Sequence, residues 1–533
     1  MPCGLAGAAA ARIKENAKQA SAAARARRMT NAYSPRGSRL DMPLARLRQW
    51  PALLAIAALV ALAGCQAGGP PIPSKLSEDA KFSSAIVADE ALAVIAAREM
   101  LATGGSAADA AVALTFVLAV TYPSVASLGG GGQCLVYRPG QGGDTIEALD
   151  FLPRRVASSA GGGSGIAVPG TVRGMDALQT RFGRFLWSRT LAAAEQLARH
   201  GHPTSRVLAH DLATETDTLF RDPAARALFS GGEGQAIDRG ETLIQRDLAA
   251  LIARLRQSGA ADFYTGSTAR LLEEAVHDAG GALEAADLEL YQARWRDTVF
   301  LPFDGKELHT MSGSGGAVAT AIWGLASADG LYREADGAKR LQLLVDAVKE
   351  GLATPVGDAP TTSFVVVDRR GMAVACGLTM NGPFGAGRVA PETGIVLAAA
   401  PEPDLAPPLA SAMLIDRNSQ QVFLTAAASG GRAAPSALAS VLLELLDRDQ
   451  PLAAALAVPR VHADGASDQL DVEPAISAEA RSALTELGYR IVQVPAVGRV
   501  NAIHCPSGLP QNSESCNHTS DSRKLGVAAD GNP

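Results

Sequence analysis

Thr361-Thr362-Ser363-Phe364-Val365-Val366-Val367-Asp368, the turn Arg369-Arg370-Gly371, and then Ala373-Val374-Ala375-Cys376-Gly377-Leu378-Thr379 form the stretch that decides the fold. Two runs rich in strand-favouring residues, joined by a short polar turn with a glycine, read as a hairpin. Neither run alternates apolar with polar residues, so the sheet holding the hairpin must be covered on both faces. Residues 353–360, just upstream, are a short and poorly structured loop. Before that loop, residues 339–352 carry apolar side chains at helical spacing and read as one amphipathic helix. The chain therefore changes character between Pro360 and Thr361.

Working outward, residues 89–121 are dominated by Ala and Leu at helical spacing, and Arg98, Glu99 and Asp109 exclude a membrane span. The pair Gly104-Gly105 divides them into two buried helices. Ser127-Leu128-Gly129-Gly130-Gly131-Gly132 then runs into the strand Gln133-Cys134-Leu135-Val136-Tyr137. Consecutive glycines call for positive φ or close backbone approach. They lack the order of a dinucleotide fingerprint and the Lys-Ser/Thr helix start of a phosphate loop.

The chain has 533 residues, 47% apolar and 19% charged, the composition of a folded globular protein. Its net charge of −6 is spread without long like-charge blocks, and the one basic run is at Arg25, Arg27 and Arg28, so no nucleic-acid partner is expected. Residues 51–64 are continuously apolar, follow Arg46 and Arg48, and end at Cys65, which is the layout of an export signal. The run is shorter than the ~20 residues of a membrane span. Leu62-Ala63-Gly64-Cys65 resembles a bacterial lipobox, in which the cysteine is diacylated and becomes the mature N-terminus; the alternative is a cleaved soluble signal with an incidental cysteine. The expected product is an exported lipoprotein, held at the membrane through Cys65 and facing the periplasm. Residues 1–41 then precede the true start at Met42, 42–65 are the signal peptide, 66–82 a Gly- and Pro-rich tether, and 83–360 and 361–533 the folded segments. In an oxidising compartment, Cys134 and Cys376 sit in apolar strand contexts and read as buried thiols. Cys505 and Cys516 flank a polar loop, where a disulfide is preferred over two free surface thiols. No Cys/His cluster has zinc spacing, so neither metal nor cofactor is expected.

From Ser83 onward several motifs occur in one order: Ala102-Thr103-Gly104-Gly105-Ser106-Ala107-Ala108-Asp109-Ala110-Ala111, the polyglycine turn, Val168-Pro169-Gly170, Phe263-Tyr264-x-Gly266 and Asp287-Leu288-x-x-Tyr291. Thr361-Thr362-x-Phe364-x-Val366-Val367-Asp368, Thr379-x-Asn381-x-x-Phe384-Gly385-x-Gly387 and Ser429-Gly430-Gly431-Arg432 follow. In this the chain resembles the γ-glutamyltransferase (glutathione hydrolase) family. The resemblance implies an α+β fold, a four-layer αββα sandwich of the N-terminal-nucleophile (Ntn) hydrolases, built from a large and a small segment of one precursor that stay associated. It implies self-cleavage before Thr361, whose freed α-amine then serves as the base. Such an amine, with a reference pKa of about 7.7–8.0, is partly neutral near physiological pH. Thr379 matches a second threonine that bonds the nucleophile's hydroxyl, and Gly430 and Gly431 match the N–H donors of an oxyanion hole. The implied substrate is a small γ-glutamyl amide such as glutathione, with water or an amine as acyl acceptor.

Substrate recognition departs from the family pattern. Asp150-Phe151-Leu152-Pro153-Arg154-Arg155-Val156-Ala157 puts Arg154 in the role of a bidentate carboxylate clamp only with an insertion of two residues; a surface arginine pair is the other reading. A serine pair is reduced to Ser411, Asn381 matches a contact to the acyl group, and residues 398–404 lose polar groups for an ammonium, leaving Asp404 or Glu402 as replacements. The loop before Thr361 is several dozen residues shorter than usual. Three readings follow: a γ-glutamyl amidohydrolase, a related acylase with altered acyl specificity (cephalosporin-acylase-like or poly-γ-glutamate-processing), or a non-catalytic lipoprotein that keeps the fold as a binding module.

Overall fold

The hairpin of residues 361–379 lies within the larger of the two main sheets in the computed structural model, which describes residues 84–140, 144–157, 165–352, 354–465, 467–523 and 526–531. Cys65, its apolar run and the tether lie outside the described residues. In chain order the strands of the two sheets are β1 (Ala85–Ala88), β2 (Gly131–Arg138), β3 (Thr145–Phe151), β4 (Arg294–Asp297), β5 (Val299–Phe303), β6 (Lys306–Thr310), β7 (Thr361–Val367), β8 (Ala373–Thr379), β9 (Ala410–Asp416), β10 (Gln421–Ser429), β11 (Arg499–Leu509), β12 (Asn517–Thr519) and β13 (Val527–Asp530). One sheet has seven strands in the order β13-β1-β7-β8-β2-β3-β4, the other six in the order β12-β11-β10-β9-β6-β5. The hairpin strands β7 and β8 are thus internal, and all seven residues of each are buried.

The period of two along β7 sorts its side chains between two cores. Phe364 and Val366 pack with the helices α1 (Ala91–Ala102) and α2 (Ala107–Thr121), whereas Val365 and Val367 meet Met413, Ile415 and Ala427 of the second sheet. The far face of that second sheet sends Ala412, Leu414 and Ala426 against α3 (Gly315–Ser327), α4 (Gly337–Gly351) and α5 (Ala434–Leu442). The double covering expected from the apolar runs is present, and so is the break between the first two helices. At that break Gly104 has φ +96. Ser106 caps α2 in a capping box with Asp109, a fully buried carboxylate that also accepts from Gln179 Nε2 at 2.7 Å.

Cys134 and Cys376 are bonded to each other, which corrects the expectation of two buried thiols. They are direct partners in the β2–β8 ladder, with Cα atoms 4.1 Å apart, a separation at which side chains on one face meet. Their register comes from pairing between segments 242 residues apart. Cys505 and Cys516 are bonded as well.

Candidate active site

Thr361 is the first residue of β7 and faces Thr379, the last residue of β8, directly across the ladder. Both are buried, on the face turned toward the second sheet, where the side chain of Ser363 also reaches Ala427 O. At the end of β10 the chain turns through Gly430 and Gly431, and Gly430 N donates to Thr361 Oγ1 at 3.1 Å. Glycine is required at this turn. Gly430 has φ +120 and Gly431 φ +61, and a Cβ on Gly430 would lie 2.7 Å from Gly498 Cα.

The hydrogen bond at the second threonine is a local one. Thr379 Oγ1 accepts from Asn381 N at 2.9 Å, not from Thr361. Asn381, in the left-handed region at φ +57, donates its Nδ2 to Ala399 O at 2.9 Å. One N–H of its amide is therefore engaged by the loop that follows β8, while the residue still lines the larger of two cavities.

Two cavities share a wall made by Asp358, Pro360 and Pro383. The larger, about 590 Å³, is lined by Arg154, Arg155, Asn381 and Glu402 among prolines and leucines. The smaller, about 320 Å³, holds Thr361, Gly430, Gly431, Tyr122, Asp211 and Arg499. The loop before Thr361 has no helix or regular strand, yet it is tied down: Gly357 N donates to Ala406 O at 2.9 Å, and Asp358 Oδ1 accepts from Arg432 N at 3.2 Å. It is thus more ordered than its sequence suggests.

Arg154 Nη2 lies 3.2 Å from Asp150 Oδ2, and Asp150 also holds Arg296 at 3.1 Å. Arg155 is exposed at the rim of the same cavity. Asp404 is exposed at φ +66 and lines neither cavity, so of the two acids offered for an ammonium only Glu402 reaches the larger one. Ser411 lies in β9, accepts from Thr310 Oγ1 through its carbonyl, and also lines neither cavity. Among the described residues no group of three or more His, Cys, Asp or Glu side chains is placed to hold a metal ion.

Sequence reading passed over a buried polar network next to Thr361. Asp89 Oδ2 accepts from Thr362 Oγ1 at 2.9 Å and from Arg499 Nη2 at 3.2 Å, and its Oδ1 accepts from Asn501 Nδ2 at 3.1 Å. Burial disfavours the Arg499 cation, but Asp89, Tyr122 and Asp211 together outweigh it and hold the guanidinium above its ordinary range. The available signal was Arg499 and Asn501 at alternate positions among Val500, Ala502 and Ile503. Behind the glycine turn, Ser436 Oγ bonds His462 Nδ1 at 2.9 Å, which ties α5 to a neighbouring strand. Burial first, then the Arg432 cation, pull His462 down to about 4.

The cephalosporin acylase of Bacillus halodurans has a solved structure that matches this one with a TM-score of 0.73 at 20% identity, over 87% of this chain and 98% of that one. The α+β architecture is the one that acylase adopts. The sequence profile described as gamma-glutamyltranspeptidase matches residues 93–359 and 408–531, and the chain belongs to that family. Similar relatives include the glutathione hydrolase proenzyme of Escherichia coli (strain K12), 25% identical over 81% of this chain and 91% of its own length. The Acylase ACY 1 proenzyme of Pseudomonas sp. (strain V22) is 27% identical over 78% of this chain and 89% of its own. The profile match skips Thr361, Thr379 and Asn381 but includes Gly430 and Gly431.

His462 yields a signed pH prediction. Unfolded, it titrates near 6.5; folded, near 4. The unfolded chain therefore binds the extra proton between these values, and stability present above pH 6.5 falls as the pH drops toward 4, by up to about 3 kcal/mol. Denaturant titrations of wild type and His462→Gln across that window should show a shallower slope for the variant.

Proposed function

We propose that this gamma-glutamyltranspeptidase-family amidohydrolase cuts its own Pro360–Thr361 bond and then uses Thr361 as an N-terminal nucleophile on small amides. In this reading the sequence of helices, sheet, sheet and helices is the four-layer αββα sandwich, with residues 361–533 as the small segment. The observation that carries the proposal is Thr361 itself: it opens an internal strand, its Oγ1 lies 3.1 Å from Gly430 N, and the residue before it walls both cavities.

In the precursor the Thr361 hydroxyl attacks the Pro360 carbonyl carbon. The amide C–N bond gives way to an ester on Oγ1, and the nitrogen takes up the hydroxyl proton to become the free α-amine; water then hydrolyses the ester, restoring the Thr361 hydroxyl and leaving Pro360 with a carboxylate. In the mature enzyme that amine takes the Thr361 hydroxyl proton during attack on the substrate amide and passes it to the leaving amine. N–H groups of Gly430 and Gly431 stabilise the oxyanion, a contribution worth ~10²–10³ in rate per donor. Water or an amine then releases the acyl group. A reducing denaturing gel with N-terminal sequencing tests the first step: wild type should give a fragment beginning Thr361-Thr362-Ser363, Thr361→Ser should cut more slowly, and Thr361→Ala should stay whole and inactive. A folded but uncut wild type would favour the non-catalytic binding module instead.

The larger cavity is the proposed acyl site, with Arg154 holding the distal carboxylate. One observation favours a second reading of the acyl group: residues 398–400 are all alanine, Asn381 donates to Ala399 O, and the two acids lining the cavity are Glu402, which is exposed, and Asp358, which is engaged by Arg432. An acyl group without an amine, as an acylase would take, fits these groups better than γ-glutamyl. Losing a charge-assisted bond to a bound anion costs ~1.5–3 kcal/mol. Arg154→Ala should therefore raise KM at least about tenfold while leaving self-cleavage intact, and a larger effect from Arg155→Ala would reverse the assignment.

Anchoring through lipid on Cys65 at the periplasmic face of a membrane is proposed from the sequence alone. The apolar run stopping at Leu-Ala-Gly-Cys supports it, and two acyl chains are enough for stable attachment. Cell fractionation of Cys65→Ala should move the protein from membrane to soluble fractions; unchanged partitioning would count against the anchor.

A further inference from the structure

We infer that Asp89, Arg499 and Asn501 act as positioning residues that substitute for a missing strand and hold the freed Thr361 terminus in its working place and charge state. This rests on the proposed self-cleavage. On one side β7 pairs with β8 over its whole length, Thr361 to Val367. On the other it pairs with β1 only from Phe364 to Val367, because the chain leaves the sheet after Ala88 and enters α1 at Ala91. Residues 361–363 are therefore strand residues with one strand neighbour, and buried carbonyls there need other donors.

Side chains supply them. Arg499 Nη2 donates to Thr361 O at 3.2 Å, and Asn501 Nδ2 to Ser363 O at 2.8 Å. Thr362 Oγ1 donates to Asp89 Oδ2 at 2.9 Å, and Ser429 Oγ, beside the glycine turn, lies 3.3 Å from the same oxygen. Asp89 is the first residue after β1, and Arg499 and Asn501 come from β11 of the opposite sheet. The three side chains are buried and fill the place of the absent strand.

Cleavage changes what this network must do. In the precursor Thr361 is held by the chain on both sides. Afterwards it is a terminus, and termini fray unless tied down. The remaining holds on its backbone are the β8 ladder and Arg499. The network also has a sign. A guanidinium bonded to the Thr361 carbonyl opposes protonation of the α-amine on the same residue, and Asp89 favours it. Removing Arg499 takes away the cation and leaves the Asp89 charge unbalanced, so both effects raise the amine's pKa. Neutralising Asp89 leaves Arg499 unbalanced and lowers it. A purely structural role predicts no such opposition.

The other ionisable groups lining the nucleophile cavity are Tyr122 at the end of α2, His210, Asp211 and Glu215 on the helix Arg206–Leu219, and Asp358 in the loop. They are common to every variant compared. The test measures the pH dependence of trace acetylation of the Thr361 α-amine, read by mass spectrometry on the N-terminal peptide of cleaved protein, for wild type, Arg499→Gln, Arg499→Lys and Asp89→Asn. Relative to wild type, the midpoint should rise by roughly one pH unit in Arg499→Gln and fall by a similar amount in Asp89→Asn. Arg499→Lys, which keeps the charge, should stay near wild type. Shifts in the same direction, or coincident midpoints, overturn the inference. If Arg499→Gln does not fold or cut, Asp89→Asn against Arg499→Lys decides: a lower midpoint for Asp89→Asn supports the inference and equal midpoints overturn it. An uncut wild type would instead remove the self-cleavage reading beneath it.

Discussion

The ladder between β7 and β8 is the constraint on which the rest of the molecule depends. It sets Thr361 against Thr379, divides alternate side chains between two cores, and places the start of β7 within reach of the glycine turn after β10. A slip of one residue would exchange the two faces. Phe364 and Val366 would then leave the helices, and the Thr361 hydroxyl would turn away from Gly430 N. Burial of apolar surface on both sides is what makes such a slip costly, so the packing that holds the fold also fixes the site.

Beside this apolar frame lies a concentrated polar one. Asp89 and Arg499 form an ion pair in which both partners are largely out of water. Removing two charges from water carries a penalty that attraction alone often fails to offset. Here hydrogen bonds from Thr362, Ser429 and Asn501 to the carboxylate share the load. The cost is accepted at the one place where the sheet lacks a neighbour for β7, and where a backbone carbonyl needs a donor that no strand supplies.

Local features of this architecture were legible in the sequence. Apolar runs without alternation announced an internal hairpin, the Gly104-Gly105 break split two helices, and the order of short motifs pointed to the family the chain belongs to. Features made by tertiary register were not. Cys134 and Cys376 each look like an ordinary strand cysteine, and only the β2–β8 pairing makes them neighbours. Asp89 and Arg499 are 410 residues apart. Asp404 and Glu402 are equal candidates by sequence, but of the two only Glu402 lines the larger cavity. Thr379 matches a threonine that bonds the nucleophile's hydroxyl; the ladder sets it opposite Thr361, and its oxygen accepts from the nearby Asn381 N, a local bond that strand periodicity does not reveal.

The Cys134–Cys376 bond also governs the connectivity of the molecule. It closes a covalent ring that contains every peptide bond from residue 134 to residue 376, including the one before Thr361. Hydrolysing any single peptide bond in that ring adds one water and yields a branched polymer, not two molecules. Segments on either side of such a break would find each other again as parts of one chain, at the high effective concentration that tethering confers, however dilute the protein. Dilution alone would never separate them; a thiol would.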